Sequence, residues 1–265
     1  MPGDASRYTR ICVMFAVTSA VMCTDTDVPV DPVLTGPQDV VGQEIRYHLD
    51  WGWGDAETTD EGWRVTTDRG YDVEVTEGFL ITYSVQLAPC ADDELGYSID
   101  PRRLFGVGQA WAGHGGPEDP SAWLMGIAED LAKPQQVSLQ PVPLNTGVYC
   151  RAHYLVARAE TKTRGLPNDF NMVGTSLYVA GTAALDDGPA QPFSIWSTLP
   201  VGELITWGDP ISPVDLSDGG IDVTITRDLG RLFDGIAFET MSAESIEKTM
   251  LLGLASRLRV DVAQP

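Results

Sequence analysis

A chain of 265 residues with 38 acidic and 17 basic side chains carries a formal charge of −21 at pH 7. Binding to a phosphate backbone needs clustered lysine and arginine, so this balance excludes nucleic acid and an anionic membrane surface as expected partners. A hydrophobic share of 43% is enough to build a buried core, and the length suits one large all-β domain.

The N-terminus reads as a signal peptide over residues 1–23. Arg7 and Arg10 precede an apolar run from Ile11 to Met22, which is too short to span a bilayer as a helix and is closed by Cys23. An apolar run ending on a cysteine resembles the processing site of a lipoprotein and makes Cys23 a candidate for lipidation, although Met22 is bulkier than the small residue such processing prefers. Residues 24–43, rich in proline and aspartate, then read as a tether. The expected location is the periplasm, the outer membrane or the cell surface, with the membrane met only through a lipid anchor.

Residues 44–265 read as a single domain. Runs such as "EIRYHLDW", "YDVEVTEGFLITYSVQLAP", "GVYCRAHYLVARAE" and "GIDVTITRDL" are rich in β-branched and aromatic residues, and several alternate apolar with polar. Glycines and prolines fall between them. This pattern predicts an all-β fold, an antiparallel β-sandwich or barrel of Greek-key-like layout. Helix is expected in three places. Residues 120–133, "PSAWLMGIAEDLAK", place Trp123, Ile127 and Leu131 at i, i+4 and i+8. Residues 226–235 read as a short helical turn. Residues 242–258 read as an amphipathic helix capped by Ser242, with Ile246, Met250, Leu254 and Leu258 as its stripe.

Cys12 and Cys23 belong to the leader, leaving Cys90 and Cys150 in the body. In an exported chain the pair is expected to form one disulfide; a thiolate metal pair is the alternative, which an oxidising compartment disfavours.

No nucleophile elbow, phosphate loop, His-Glu-x-x-His or haem motif is present, and no spacing supports catalysis. The chain is therefore read as a binding protein and not an enzyme, with a hydrolase of unrecognised site as a minor alternative. Its three histidines are the residues best suited to chemistry. His48 lies in "RYHLDWGW" and His114 in the glycine-rich "GQAWAGHGG" beside Trp111. His153 lies in "YCRAHYLV". Strand alternation puts Arg151, His153 and Leu155 on one face and Cys150, Ala152 and Tyr154 on the other. Imidazoles with few thiolates suit copper or zinc.

The order of a "GYDVEVTEGFLITYSVQLAPC" double strand, a "WAGHGG" loop, a "PLNTGVYCRAHYLVARAE" strand entry and a terminal "VDLSDGGIDVTITRDLGRLFDGIAF" resembles the MbnP-like family of exported copper-binding β-proteins and related myxobacterial lipoproteins. The resemblance covers roughly residues 44 to 260. It implies a copper(I) ion held by His114 and a second histidine, His153, with His48 as the alternative partner or third ligand. Trp111 takes the place of the tryptophan that some members oxidise or that shields the metal. It also implies a partner protein for metal delivery or tryptophan oxidation. A reading of a different class is a cell-surface interaction sandwich that binds a glycan or a protein without metal, using exposed tryptophans such as Trp51, Trp53 and Trp63.

Overall fold

The computed structural model describes residues 39–90, 121–145, 147–186, 188–212 and 220–263. Cys23, Trp111 and His114 lie outside the described residues, as do the expected leader and most of the tether.

Two sheets pack face to face as a sandwich, and neither closes into a barrel. The first holds β1 (Asp39–Gly52), β6 (Val137–Ser138), β7 (Val142–Asn145), β12 (Ile221–Asp228) and β13 (Arg259–Ala263). Its order is β13-β12-β1-β6, with β7 also on β1. The second is built on β4 (Tyr71–Pro89), a strand of 19 residues. On β4 pair β3 (Trp63–Thr66), β5 (Ile127–Asp130), β8 (Tyr149–Val156) and β9 (Leu177–Leu185). Beyond these lie β2 (Glu57–Thr58), β10 (Gln191–Ser197) and β11 (Val201–Ile211), on β3, β9 and β8 respectively. Among the described residues all ladders between strands are antiparallel except one. β1 and β12 run parallel, with Ile45 opposite Ile221 and Gly52 opposite Asp228, so the second sheet is threaded between them in sequence.

Alternation explains the inward faces. Ile45, Tyr47, Leu49 and Trp51 of β1 are buried, as are Ile221, Val223 and Ile225 of β12. Arg46, His48, Asp222 and Thr224, between them, face outward. The first strand begins at Asp39, opposite Asn145, within the stretch expected to be tether.

The helix expected over residues 120–133 does not form. Ile127–Asp130 is the strand β5, paired with Phe79 to Thr82 of β4. The spacing misled because i, i+4 and i+8 are all even steps, and a strand also puts them on one face. The positions that separate the two periods, Gly126 and Asp130, carry no apolar side chain. What decides for strand is the open edge of β4 and a buried partner for Glu129, described below.

The other two helical expectations hold. A 3-10 turn covers Leu229–Arg231, and a helix, α1, covers Ala243–Ser256. The Ser242 hydroxyl accepts from the Ser245 amide at 3.2 Å, and Ile246, Met250 and Leu254 are buried. Among the described residues no helix is long and apolar enough to cross a membrane.

Candidate functional site

His153 sits in the middle of the second sheet, between Gln86 of β4 and Leu204 of β11. Its neighbours Ala152 and Tyr154 are buried in the core, so its ring is on the outward face and half-buried. On β11, Gly202 leaves the space that this ring occupies, since a Cβ there would stand 3.2 Å from His153 Nε2.

Three residues before His153 is Cys150, joined to Cys90 with Cα atoms 5.2 Å apart. Tyr149 is opposite Pro89 and Arg151 is opposite Ala88, so Cys150 is the extra residue of a bulge. The bulge interrupts the alternation between Cys150 and Ala152 on which the sequence reading of that face rested. The Arg151 guanidinium closes the corner by donating from both Nε, at 3.0 Å, and Nη2 to the Pro89 carbonyl.

The segment carrying Trp111 and His114 is bracketed by two anchors. Cys90 is held by the disulfide and by its amide, which donates to the Val148 carbonyl at 2.9 Å. At the other end the Tyr47 hydroxyl donates to the buried Ser121 carbonyl at 2.9 Å and accepts from the Leu87 amide at 3.1 Å. Trp123 and Val85 exchange backbone hydrogen bonds at 2.8 and 3.0 Å. Both anchors thus lie along the final stretch of β4. Strands stand about 4.8 Å apart, so Cys90 is one strand from His153 and Trp123 is two.

His48 is elsewhere. It projects from the outward face of the first sheet, with Nδ1 3.0 Å from Ser138 Oγ and Nε2 3.3 Å from Asp222 Oδ1. Arg46 donates to the same carboxylate at 2.6 Å, and this hydrogen bond holds the Asp222 carboxyl below its ordinary pKa, with the His48 contact adding to it. The structure does not bring His48 and His153 together. Among the described residues no three His, Cys, Asp or Glu side chains are grouped as a metal site.

Two features escape the sequence. The first is a buried ion pair between the sheets: Arg227 of β12, 0% exposed, donates to both oxygens of Glu129 at 2.8 and 2.5 Å and to the Asp50 carbonyl at 3.0 Å. Thr82 donates to Glu129 at 2.6 Å, the Thr82 and Tyr154 hydroxyls stand 2.7 Å apart, and the Trp51 ring lies 4.3 Å from the guanidinium carbon. Burial works against the Arg227 charge, yet Glu129 and the Tyr154 oxygen raise its pKa overall. The even spacing of Glu129 with Trp123, Ile127 and Leu131 was the available signal.

The second is an aromatic row on the outward face of the second sheet. Phe79, Tyr178 and Trp196 are direct cross-strand partners on β4, β9 and β10. Trp51 and Trp63, expected to be exposed, are instead in the core; the Trp63 indole donates to the Leu131 carbonyl at 2.6 Å. Trp53 is partly buried against the core, and among the described residues Trp196 is the exposed tryptophan, at 48%.

Against known proteins the chain stands apart: no protein-family model, no curated protein and no solved structure matches it.

Proposed function

We propose that this chain is an exported copper-binding protein in which His114 and His153 hold copper(I) as cargo, for acquisition, storage or handover to a partner protein. The observation that carries this reading is the Cys90–Cys150 disulfide. It fastens the start of the His114 segment to β8, three residues from His153, and the far end of that segment is pinned along the same stretch of β4. The donor chemistry agrees with it. The described cysteines are bonded to each other, so the donor considered at this corner is the His153 imidazole, which suits copper and, as the alternative cargo, zinc. The half-buried His153 ring also packs over Gly202, where the absence of a Cβ makes room for Nε2.

In this reading Trp111, three residues before His114, shields the metal or is the residue that a partner oxidises. His48, engaged with Ser138 and Asp222, is a reserve ligand at most. Acylation at Cys23 supplies the lipid anchor, placing the domain in the periplasm or at the cell surface. The function is binding, with no turnover.

The test is a competition titration against a chromophoric copper(I) chelator, using the mature chain and its His114→Ala, His153→Ala and His48→Ala variants. The first two are expected to lose at least tenfold in affinity and the third to match the parent. Equal affinity across all four would overturn the assignment.

A further inference from the structure

We infer that the outward face of the second sheet around Trp196 binds a neutral glycan. This rests on residues apart from the histidines and does not depend on the copper reading. Phe79, Tyr178 and Trp196 cross three adjacent strands as one row, and Phe170, from the loop before β9, lies across it. The Phe170 ring meets Phe79, Tyr178 and Trp196 edge-on at 5.5, 5.0 and 5.9 Å. Trp196 leans on Tyr178 at 4.1 Å and remains 48% exposed, so one side of the indole is backed by rings and the rest is open to a ligand.

The indole is also fixed in direction. Its N–H donates to Ser194 Oγ at 3.1 Å, and the Tyr178 hydroxyl beneath it donates to Glu77 at 2.8 Å. Burial, reinforced by Glu77, pushes the Tyr178 pKa up to about 12, so this hydroxyl stays protonated and the row stays neutral.

The surroundings say which ligand fits. Asn168, Asp169 and Asn171 adjoin Phe170 in the chain and are exposed, supplying amide and carboxylate groups on the same loop, with the Asn171 oxygen accepting from the Val173 amide at 3.0 Å. Sugars need that pair of features, an aromatic plane for the C–H face and hydrogen-bonding side chains for the hydroxyls. Trp196 and Ser194 also wall a cavity of about 360 Å³ beside edge strand β10, floored by Phe193, Phe238 and Ile246, which offers a neighbouring subsite.

A protein partner needs about 800 Å² on each side, whereas the large apolar side chains exposed near the row are Trp196 and Val173. That patch matches one or two sugar rings. Glu77 and Asp169 at the rim, on a chain of charge −21, disfavour uronate and sulfate polymers and leave the neutral class.

The test uses the full mature chain, with chelator present, against soluble neutral glucan, mannan, galactan and chitin oligosaccharides and two uronate polymers, read by tryptophan fluorescence. At least one neutral glycan is expected to bind, and Trp196→Ala is expected to weaken it about tenfold, the scale of one lost aromatic contact. Should that variant fail to fold, N-bromosuccinimide oxidation of the parent, mapped by peptide, replaces it: bound glycan is expected to protect Trp196. Binding of no neutral glycan, preference for uronates, unchanged binding by Trp196→Ala, absence of protection, or binding of a protein in place of any glycan would each overturn the inference.

Discussion

Replacing Glu129 by glutamine keeps the shape of the side chain and removes its charge, which leaves the Arg227 guanidinium, 0% exposed, without a counter-ion between the sheets. Losing one partner of a buried pair costs about 3–5 kcal/mol, because the remaining charge keeps its desolvation penalty. Against a domain stability of about 5–15 kcal/mol, that is about a fifth of the total or more. The double variant Glu129→Leu with Arg227→Met removes both charges at similar volume. Thr82 and Tyr154 keep each other as partners at 2.7 Å, so most of the loss is expected to return. Urea unfolding, followed by tryptophan fluorescence with the disulfide intact, measures both; Trp51, 4.3 Å from the guanidinium carbon, reports locally. A Glu129→Gln cost below about 1 kcal/mol, or a double variant as unstable as the single, would refute the view that an uncompensated Arg227 charge sets the penalty.

Reducing the Cys90–Cys150 disulfide, which closes 60 residues of chain, is expected to remove about 4 kcal/mol, seen as a lower urea midpoint; no shift would contradict this. Asp222 has a lowered folded-state pKa, so its contribution is complete above the unfolded value of about 3.9 and fades as pH falls through the folded value. Urea midpoints taken from pH 6 downward should therefore drop more steeply in the parent than in Asp222→Asn, and parallel curves would count against the pairing. Gly181→Ala puts a Cβ 1.8 Å from the Glu74 carbonyl oxygen at the β4 bulge and is expected to cost roughly 1–3 kcal/mol or more in thermal or urea unfolding. Gly202→Ala, whose Cβ meets His153 Nε2 at 3.2 Å, is expected to weaken copper binding severalfold while leaving the unfolding midpoint close to the parent's.

Much of the sandwich was readable from residue alternation. β1 and β12 show it plainly, because each has one apolar and one polar face, and the capped C-terminal helix carried its own start signal in Ser242. The parallel pairing of β1 with β12 was not readable, since ladder partners more than 170 residues apart leave no local trace. Residues 127–130 were misread because an even spacing of apolar residues serves a helix and a strand alike, and only the tertiary partners of Glu129 and Leu131 separate them. Of the candidate site, the disulfide and the placement of His153 on the face opposite Ala152 and Tyr154 were legible. The isolation of His48 with Asp222 was not, because those residues are 174 apart in sequence. The role of Arg227 had no local signal, because its partner Glu129 is 98 residues away in sequence, and Trp196 could not be told from the buried Trp51 and Trp63, since burial of an aromatic depends on which sheet face is covered.

Elemental analysis bears most directly on the proposed function. The chain, folded and disulfide-intact, is loaded with copper(I), with zinc in parallel, then desalted and its metal counted by mass spectrometry. The copper-binding reading predicts about one copper per chain, lost in both His114→Ala and His153→Ala and retained in His48→Ala. A folded protein that retains no metal, or one whose copper survives the loss of His153, would contradict it.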